Sequence, residues 1–337
     1  MNLESEIKQV IALCDKNGNL NPSAIGWSRK PLHRCNLSKH YFRKKKWNYW
    51  CIYDKEWLIS FTISDVDYAG LIFGYYLEFS TGKFAEFTKI VPFSSGITMG
   101  QQTDNNARYQ SGGLSFDFQA KKHGQMLLAS IPDIGGENLN ASIDVEIPED
   151  LESMNVVIPW SKRRFQFTSK QIGLAASGTV TIGTRSHTFN KADTFACLDF
   201  GRGVWPYNIT WNWGVAVSRS DGDIVGANMG AKWTDNSGYT ENSILAGGKT
   251  YKLPENVLFE YDRKDFMKPW KIRTEQSSAI DFEFTPFFDR HAKSNLVILA
   301  SDVHQMIGKY TGEIKIGRKT VAIHDAIGWA EDHIARW

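Results

Sequence analysis

The sequence predicts an all-β protein of two tandem antiparallel β-barrels packed side by side, with short terminal helices. Three observations carry this reading. Apolar and polar residues alternate at period two along most of the chain, the pattern of half-buried strands. Gly-, Asn- and Asp-rich turn signals separate the alternating runs, with few helical periods between them, so neighbouring strands join by hairpins. One aromatic phrase also occurs twice: residues 46–50 read KWNYW and residues 210–214 read TWNWG.

With 337 residues, the chain exceeds one comfortable core. Residues 1–170 are expected to form an N-terminal barrel with a short helix and a basic arm, and residues 171–337 a C-terminal barrel. The boundary falls within 160–178. Leu3, Ile7, Val10 and Ile11 follow helical spacing, and Asn17-Gly18-Asn19 ends that segment. From Arg29 to Lys46 there are eight cations and no acid, which leaves 31 basic against 37 acidic residues elsewhere. The arm is either a solvated lead into a strand or a contact for a phosphate, a carboxylate or an anionic surface. No nucleic-acid-binding module accompanies it, so no nucleic-acid partner is expected.

Strand patterning begins at Trp47 and recurs in Ile59–Phe61–Ile63, Leu114–Phe116–Phe118, Ile143–Val145–Ile147, Val215–Val217 and Phe282–Phe284. After each aromatic phrase comes a strand, a turn (Asp54-Lys55-Glu56 or Asp221-Gly222) and another strand. Matching hairpins make the phrase a duplication, with Trp47 and Tyr49 equivalent to Trp211 and Trp213. Sheets with this many antiparallel strands tend to close into barrels, which removes open edges.

Hydrophobic residues at 42% and twelve tryptophans supply a core and exclude disorder. Cys14, Cys35, Cys51 and Cys197 include no CxxC pair and read as buried thiols. His33 with Cys35 is a lesser zinc alternative. No metal or cofactor is expected. The first residues carry no apolar signal region, and no run approaches about 18 apolar residues. A cytoplasmic location and no transmembrane segment are therefore expected. Ser-His-Asp order, HExxH, Walker and kinase motifs are lacking.

The stretches LNPSAIGWSRKPLHRCNL, WPYNITWNWG, KWTDNSGYTEN, FTPFFDRHAKSNL and GWAEDHIARW resemble the domain-of-unknown-function 2804 family. At a greater distance the chain is similar to the two-barrel lipocalin-like group of AttH-type proteins, carotenoid 1,2-hydratase and tocopherol cyclase, most clearly in GKYTGEIKIGRK and GWAEDHIARW. That resemblance implies tandem lipocalin-like barrels and an apolar pocket. Enzymes of the group act on apolar substrates by non-redox, proton-driven chemistry. In the hydratase branch a His is expected at the start of the aromatic-Asn-Trp-Gly phrase, where this chain has Trp211.

Alternation places Asp65 and Asp67 on the face of Ile59, Phe61 and Ile63. Desolvated carboxyls there would make general acids. The alternatives are turn residues or an ion pair with an arginine of the second barrel. His304 is a further catalytic candidate, against a hydrogen-bonded core role. Asp199, Arg202, Trp205, Trp211 and Trp213 form the richest patch, a charged pair among indoles able to hold an amphipathic ligand. Trp50, Tyr68, Arg108 and Arg290 complete the ligand-binding candidates. Arg108 lies in the long polar segment 94–113, which reads as a lid or binding loop. Glu331 and His333 read as braces for the C-terminus. The expected function is binding of an apolar or amphipathic small molecule in a barrel or inter-barrel pocket, with or without acid-catalysed conversion. A carbohydrate-active protein with Trp platforms and paired carboxylates and a non-catalytic interaction module are the alternatives.

Overall fold

The computed structural model describes residues 4–295 and 299–337. Two large antiparallel sheets account for nearly all regular structure. The first has fourteen strands. Its main path runs from Lys83–Pro92 through Ala69–Glu78, Trp57–Asp65, Lys44–Tyr53, Phe195–Val204, Arg164–Ile182, Glu137–Glu146, Gly124–Ile134, Leu114–Lys121 and Ala107–Ser111 to Thr98–Met99. The second has nine, running from Lys249–Lys252 through Ser243–Ala246, Asp223–Ala231, Asn208–Ser220, Lys319–Arg336, Ala300–Ile316, Ile280–Asn295 and Trp270–Thr274 to Val257–Glu260.

Each sheet curls around its own apolar core. Trp50, Phe61, Phe116 and Phe118 fill the first; Trp270, Phe282, Phe284 and Tyr310 fill the second. The ends of the first sheet approach without a hydrogen-bonded ladder. Side chains of the end strand Lys83–Pro92 reach across instead, Lys83 to Glu137 of Glu137–Glu146 at 2.8 Å and Lys89 to Ser111 of Ala107–Ser111 at 3.5 Å. The units are half-barrels rather than fully laddered barrels.

The repeated phrase occupies the same address in both sheets. Lys44–Tyr53 lies between its hairpin partner Trp57–Asp65 and the sheet's last long strand, Phe195–Val204. Asn208–Ser220 lies between its hairpin partner Asp223–Ala231 and the last strand, Lys319–Arg336. The second hairpin turns on Asp221 and Gly222, both at positive φ (53° and 86°), as a two-residue type I′ turn requires. Asn48 and Asn212 point inward and are buried. The copies diverge where Trp50 matches Gly214: a Cβ on Gly214 would meet the Tyr310 hydroxyl at 2.7 Å, so the smaller second unit has no room for a side chain.

Alternation then sends Trp47, Tyr49, Cys51 and Tyr53 to the outer face of the first sheet. There they join Trp213, Val215 and Trp329 of the second in a shared cluster. The Tyr49 and Trp213 rings meet edge to face at 5.8 Å. The half-barrels pack outer face against outer face.

Two expectations need correction. No terminal helix forms among the described residues; the only helical element is the 3₁₀ turn Pro22–Ala24. Leu3 lies outside the described residues, whereas Ile11–Ala12 pairs in parallel with His33–Arg34. The sheets divide between Val204 and Asn208, and the expected boundary at 170/171 falls inside the strand Arg164–Ile182. This long strand lies mid-sheet, pairing with Phe195–Val204 along its first part and with Glu137–Glu146 along its second, so its period-two pattern carries no mark of a boundary. No described helix is long and apolar enough to cross a membrane.

Trp50 is fully buried in the first core. Replacing a buried Trp with Ala removes contacts and leaves a cavity. Trp50→Ala should lower unfolding free energy by about 3–5 kcal/mol, read by urea denaturation. A loss below about 1 kcal/mol would mean that this core is not packed as described.

Candidate functional site

Cross-strand rows build the site. In the first sheet Lys170, Asp199, Tyr49, Thr62, Phe73 and Thr88 are successive Cα partners across six strands. In the second, Trp213, Glu331, Gln305 and Arg290 are partners across four. A neighbouring row carries Trp211, His333, Val303 and Ala292. These rows border a cavity of about 640 Å³ between the sheets. Polar positions of the strands, which alternation alone would assign to water, are buried here: Ser60, Thr62 and Ser64 are all under 9% exposed. A second outer face covers them, so the alternation is right and the solvent is not.

Six of the twelve tryptophans line this cavity: Trp47, Trp205, Trp211, Trp213, Trp233 and Trp337. The indoles pack on one another. Trp205 and Trp233 stack at 5.6 Å, and Trp47 and Trp337 at 6.4 Å. Several N–H groups are anchored, Trp205 to Gln166, Trp213 to Asn228, Trp233 to Glu241 and Trp211 to Glu331. This makes a rigid aromatic wall rather than a row of outward-facing platforms.

Charge is concentrated against that wall. Lys170 Nζ lies 3.0 Å from Asp199 and 3.4 Å from Glu241, and 4.0 Å from the centre of the Trp213 ring. Glu241 comes from the second unit, so this lysine joins the two. Burial works against its ammonium, but Asp199 and then Glu241 outweigh it and raise the pKa. Arg290 pairs with Glu86 of the first sheet at 2.6 Å and lies over Tyr75 at 4.1 Å. Its Nε–H has no acceptor.

Glu331 sits at the centre of this row. Oε1 accepts from Trp211 Nε1 at 2.8 Å, and Oε2 accepts a longer bond from Gln305 Nε2 at 3.3 Å. Gln305 is fixed by a closed ring. Tyr75 donates to Gln305 Oε1 at 2.6 Å, Tyr49 and Tyr75 hydroxyls meet at 2.8 Å, and Gln305 Nε2 donates to Tyr49 at 3.3 Å. Burial pushes the Glu331 pKa to about 7, although Trp211, Lys170 and Arg290 favour the carboxylate. Burial also raises Glu241 despite Lys170. Beside Glu331, burial and then Arg290 push His333 down to about 3, so it is a neutral imidazole facing Ser301 at 2.7 Å. The wall therefore holds a carboxyl that exchanges its proton near neutrality, next to indoles and a neutral hydrogen-bonding ring.

The cavity brings together Asp199, Trp205, Trp211, Trp213 and Arg290 among the candidates read from sequence. Others fall elsewhere. Trp50 points into the first core. Arg202 faces inward, donating to Trp47 O, Asn48 Oδ1 and Gly100 O. Asp199 and Arg202 are not a pair, because positions three apart on a strand face opposite sides. Arg108 is exposed and bonded to Gln110, and its segment packs Tyr109 into the first core instead of covering the cavity. Tyr68 lies under Lys45. Asp65 ends its strand and pairs with Lys46 at 2.8 Å, and Asp67, at φ 78°, pairs with Lys44 at 3.1 Å. Burial opposes the Asp65 carboxylate, but bonds from Lys46 and Ser94 hold its pKa below the ordinary range. Both therefore sit at the turn between Trp57–Asp65 and Ala69–Glu78, paired with lysines of the basic arm and outside the cavity lining. His304 gives Nδ1 to Asp289 at 2.9 Å and stacks on His291, which lies at the exposed end of the cavity. His291, Asp302 and His304 could offer three ligand atoms to a cation, but Lys293 already holds Asp302. The four thiols are free and buried.

From the sequence, Glu331 and His333 read only as braces for the C-terminus. Strand pairing with Trp213 and Trp211 turns their strand face into cavity wall, which no local pattern encodes.

Two curled antiparallel sheets packed around a shared cavity define a tandem half-barrel fold of lipocalin-like type. The chain belongs to the DUF2804 family, a domain of unknown function, which matches residues 4–337. No curated protein matches it. Solved structures share the fold at low identity. CghA is 10% identical with a TM-score of 0.54, over 91% of this chain and 93% of its own. Its complex with Sch210972 is 11% identical at 0.51, over 88% and 89%. A putative AttH from Nitrosomonas europaea is 12% identical at 0.51, over 88% and 92%.

A carboxyl whose folded pKa is raised binds its proton more tightly than in the unfolded chain. Its contribution to stability is full below the unfolded value of about 4.5 and is lost as pH rises to about 7. Glu331→Gln cannot titrate. Relative to wild type, it should gain about 3 kcal/mol between pH 4 and pH 8, measured by urea unfolding at both. A constant difference would show that Glu331 titrates normally. Lys170→Met should cost about 3–5 kcal/mol at pH 8 by stranding Asp199 and Glu241. A loss that persists undiminished at pH 4, where the raised pKa of Glu241 favours its neutral form, would place its origin in packing.

Proposed function

We propose that this protein binds an uncharged, planar, oxygen-bearing organic molecule between its half-barrels and converts it by non-redox proton transfer from Glu331. The observation that carries this is the Glu331 carboxyl, pushed to about 7 and set in an aromatic cavity. A general acid works best with a pKa near the working pH. The indoles suit a flat apolar body, and the Arg290 Nε–H, lacking an acceptor, suits a carbonyl, ether or hydroxyl oxygen. Four carboxyls (Glu86, Asp199, Glu241, Glu331) face two deeply buried cations (Lys170, Arg290) across the lining. An anionic ligand would add to the surplus of negative groups. CghA, which shares the fold, is crystallised with Sch210972.

In the chemical step Glu331 gives its proton to a double bond or oxygen of the ligand. The cation so formed lies against the faces of Trp211 and Trp213, and the carboxylate keeps its bond from Trp211 Nε1. Loss of a proton from an adjacent carbon completes an isomerisation or cyclisation. Loss of one from an added water completes a hydration. Either way Glu331 recovers its proton and no electrons leave the pair.

Native mass spectrometry of the purified protein should reveal a co-purifying small molecule, and Glu331→Gln should retain it within about threefold in affinity while losing its conversion by at least about a hundredfold. Unchanged conversion by the variant would remove Glu331 from the chemistry. A matched probe pair tests the ligand class: 2-acetylnaphthalene should quench indole fluorescence at pH 7.5 at concentrations about tenfold lower than 2-naphthoate does. Tighter naphthoate binding would overturn the uncharged class alone, and silence from both probes would count against the cavity as a ligand site.

A further inference from the structure

The basic arm is mostly spoken for within the protein. Arg29 pairs with Glu6 and Glu152, Lys30 donates to the backbone at Leu151, and Lys44 and Lys46 pair with Asp67 and Asp65. Lys45 is buried, donating to Val66 O. What stands apart is the tip. Tyr41 and Phe42 are 74% and 60% exposed, and Phe93 is 74% exposed on a second loop. The loops are tied at one end of the first half-barrel: Lys44 contacts both the Tyr41 ring and Asp67, and Phe93 N donates to Tyr68 O.

Large exposed aromatics are costly to keep in water, and here the backbone is held unfavourably to present them. Phe42 and Phe93 have φ of 66° and 52°, with Lys39 and His40 also positive. That region is rarely populated by bulky residues. The surround is cationic. Arg43, Arg163 and Arg164 are close enough for mutual repulsion to depress Arg164, after burial, and Lys39, Lys162 and Arg163 are exposed. Asp15 is the acid that faces Lys162. Exposed aromatic side chains set in basic surroundings have the chemistry of an interfacial anchor: rings enter the headgroup boundary and cations meet anionic lipid.

We propose that this tip, with Tyr41, Phe42 and Phe93 flanked by Lys39, Arg43, Arg163 and Arg164, docks the protein reversibly on an anionic lipid surface. The tip borders the tryptophan wall, since Arg43 Nη2 reaches Trp205 O at 3.5 Å. Docking therefore brings the aromatic end of the cavity to the phase where apolar molecules dissolve. It does not depend on Glu331 or on any conversion.

Sedimentation with phosphatidylcholine vesicles, with and without about 30 mol% phosphatidylserine, tests it at about 0.1 M NaCl. The full chain should bind the anionic vesicles at least about fivefold better, and lose most of this at about 0.5 M NaCl. Tyr41→Ser/Phe42→Asn and, separately, Arg163→Glu/Arg164→Glu should each reduce binding by at least about fivefold; Asn tolerates the positive φ at position 42. Equal sedimentation with both vesicles, or wild-type binding by both variants, would overturn the proposal. So would a concentration-dependent dimer in light scattering that Tyr41→Ser/Phe42→Asn abolishes without any lipid binding, which would assign the patch to a second copy.

Discussion

Lys170, buried between the two sheets and shared by Asp199 and Glu241, is the interaction on which the rest of the interface depends. Two curled sheets that pack outer face to outer face must bury what alternation placed there, and those positions are polar. A buried ion is tolerated only when paired and hydrogen-bonded. Lys170 and Arg290 meet that demand for Asp199 and Glu86, but the lining has more carboxyls than buried cations. Burial raises the pKa of both Glu241 and Glu331, and protonation at Glu331, which reaches about 7, relieves part of the surplus. The acid of the site is thus a consequence of how the halves dock, rather than of any short motif.

Duplication explains why the docking is possible. Both copies of the aromatic phrase occupy the strand between a hairpin partner and the sheet's last long strand, and both send Trp and then Tyr or Trp outward. Trp47 and Tyr49 therefore oppose Trp211 and Trp213 with matching spacing along the strand. The inner faces diverged instead, with Trp50 filling a wide half-barrel and Gly214 yielding to Tyr310 in a narrow one. The interface also couples sheets through the Tyr49–Tyr75–Gln305 ring, which orients the amide beneath Glu331. Stability and acid strength share these groups, so a change that loosens the docking will also return Glu331 toward an ordinary pKa.

Class, period and duplication were legible in the sequence because each is local: alternation at Phe61 or Phe116, the Asp221-Gly222 turn and the repeated WN phrase all speak for their own neighbourhoods. Five candidate residues, Asp199, Trp205, Trp211, Trp213 and Arg290, were also legible, since clustered indoles beside charge mark an amphipathic surface. What was not legible depended on which faces meet. Asp65 has the right register for a desolvated acid, but the strand ends there and Lys46 neutralises it. Glu331 has no distinguishing neighbours in sequence; its environment comes from Trp211, Gln305 and Lys170, as many as 161 residues away. The predicted N-terminal helix failed because a short amphipathic run next to a sheet edge gains more from pairing with His33–Arg34 than from a marginal isolated helix.

Carbon-13 titration of the glutamate carboxyls, assigned by comparison with Glu331→Gln, reads out the acid that docking of the two sheets creates. The docking account predicts that the Glu331 resonance moves with a midpoint of about 7, and that Lys170→Met moves it higher by removing a cation that favours the carboxylate. A Glu331 midpoint near the ordinary value of about 4.3 would contradict it, because the cavity would then hold a solvated carboxylate and no neutral-pH acid.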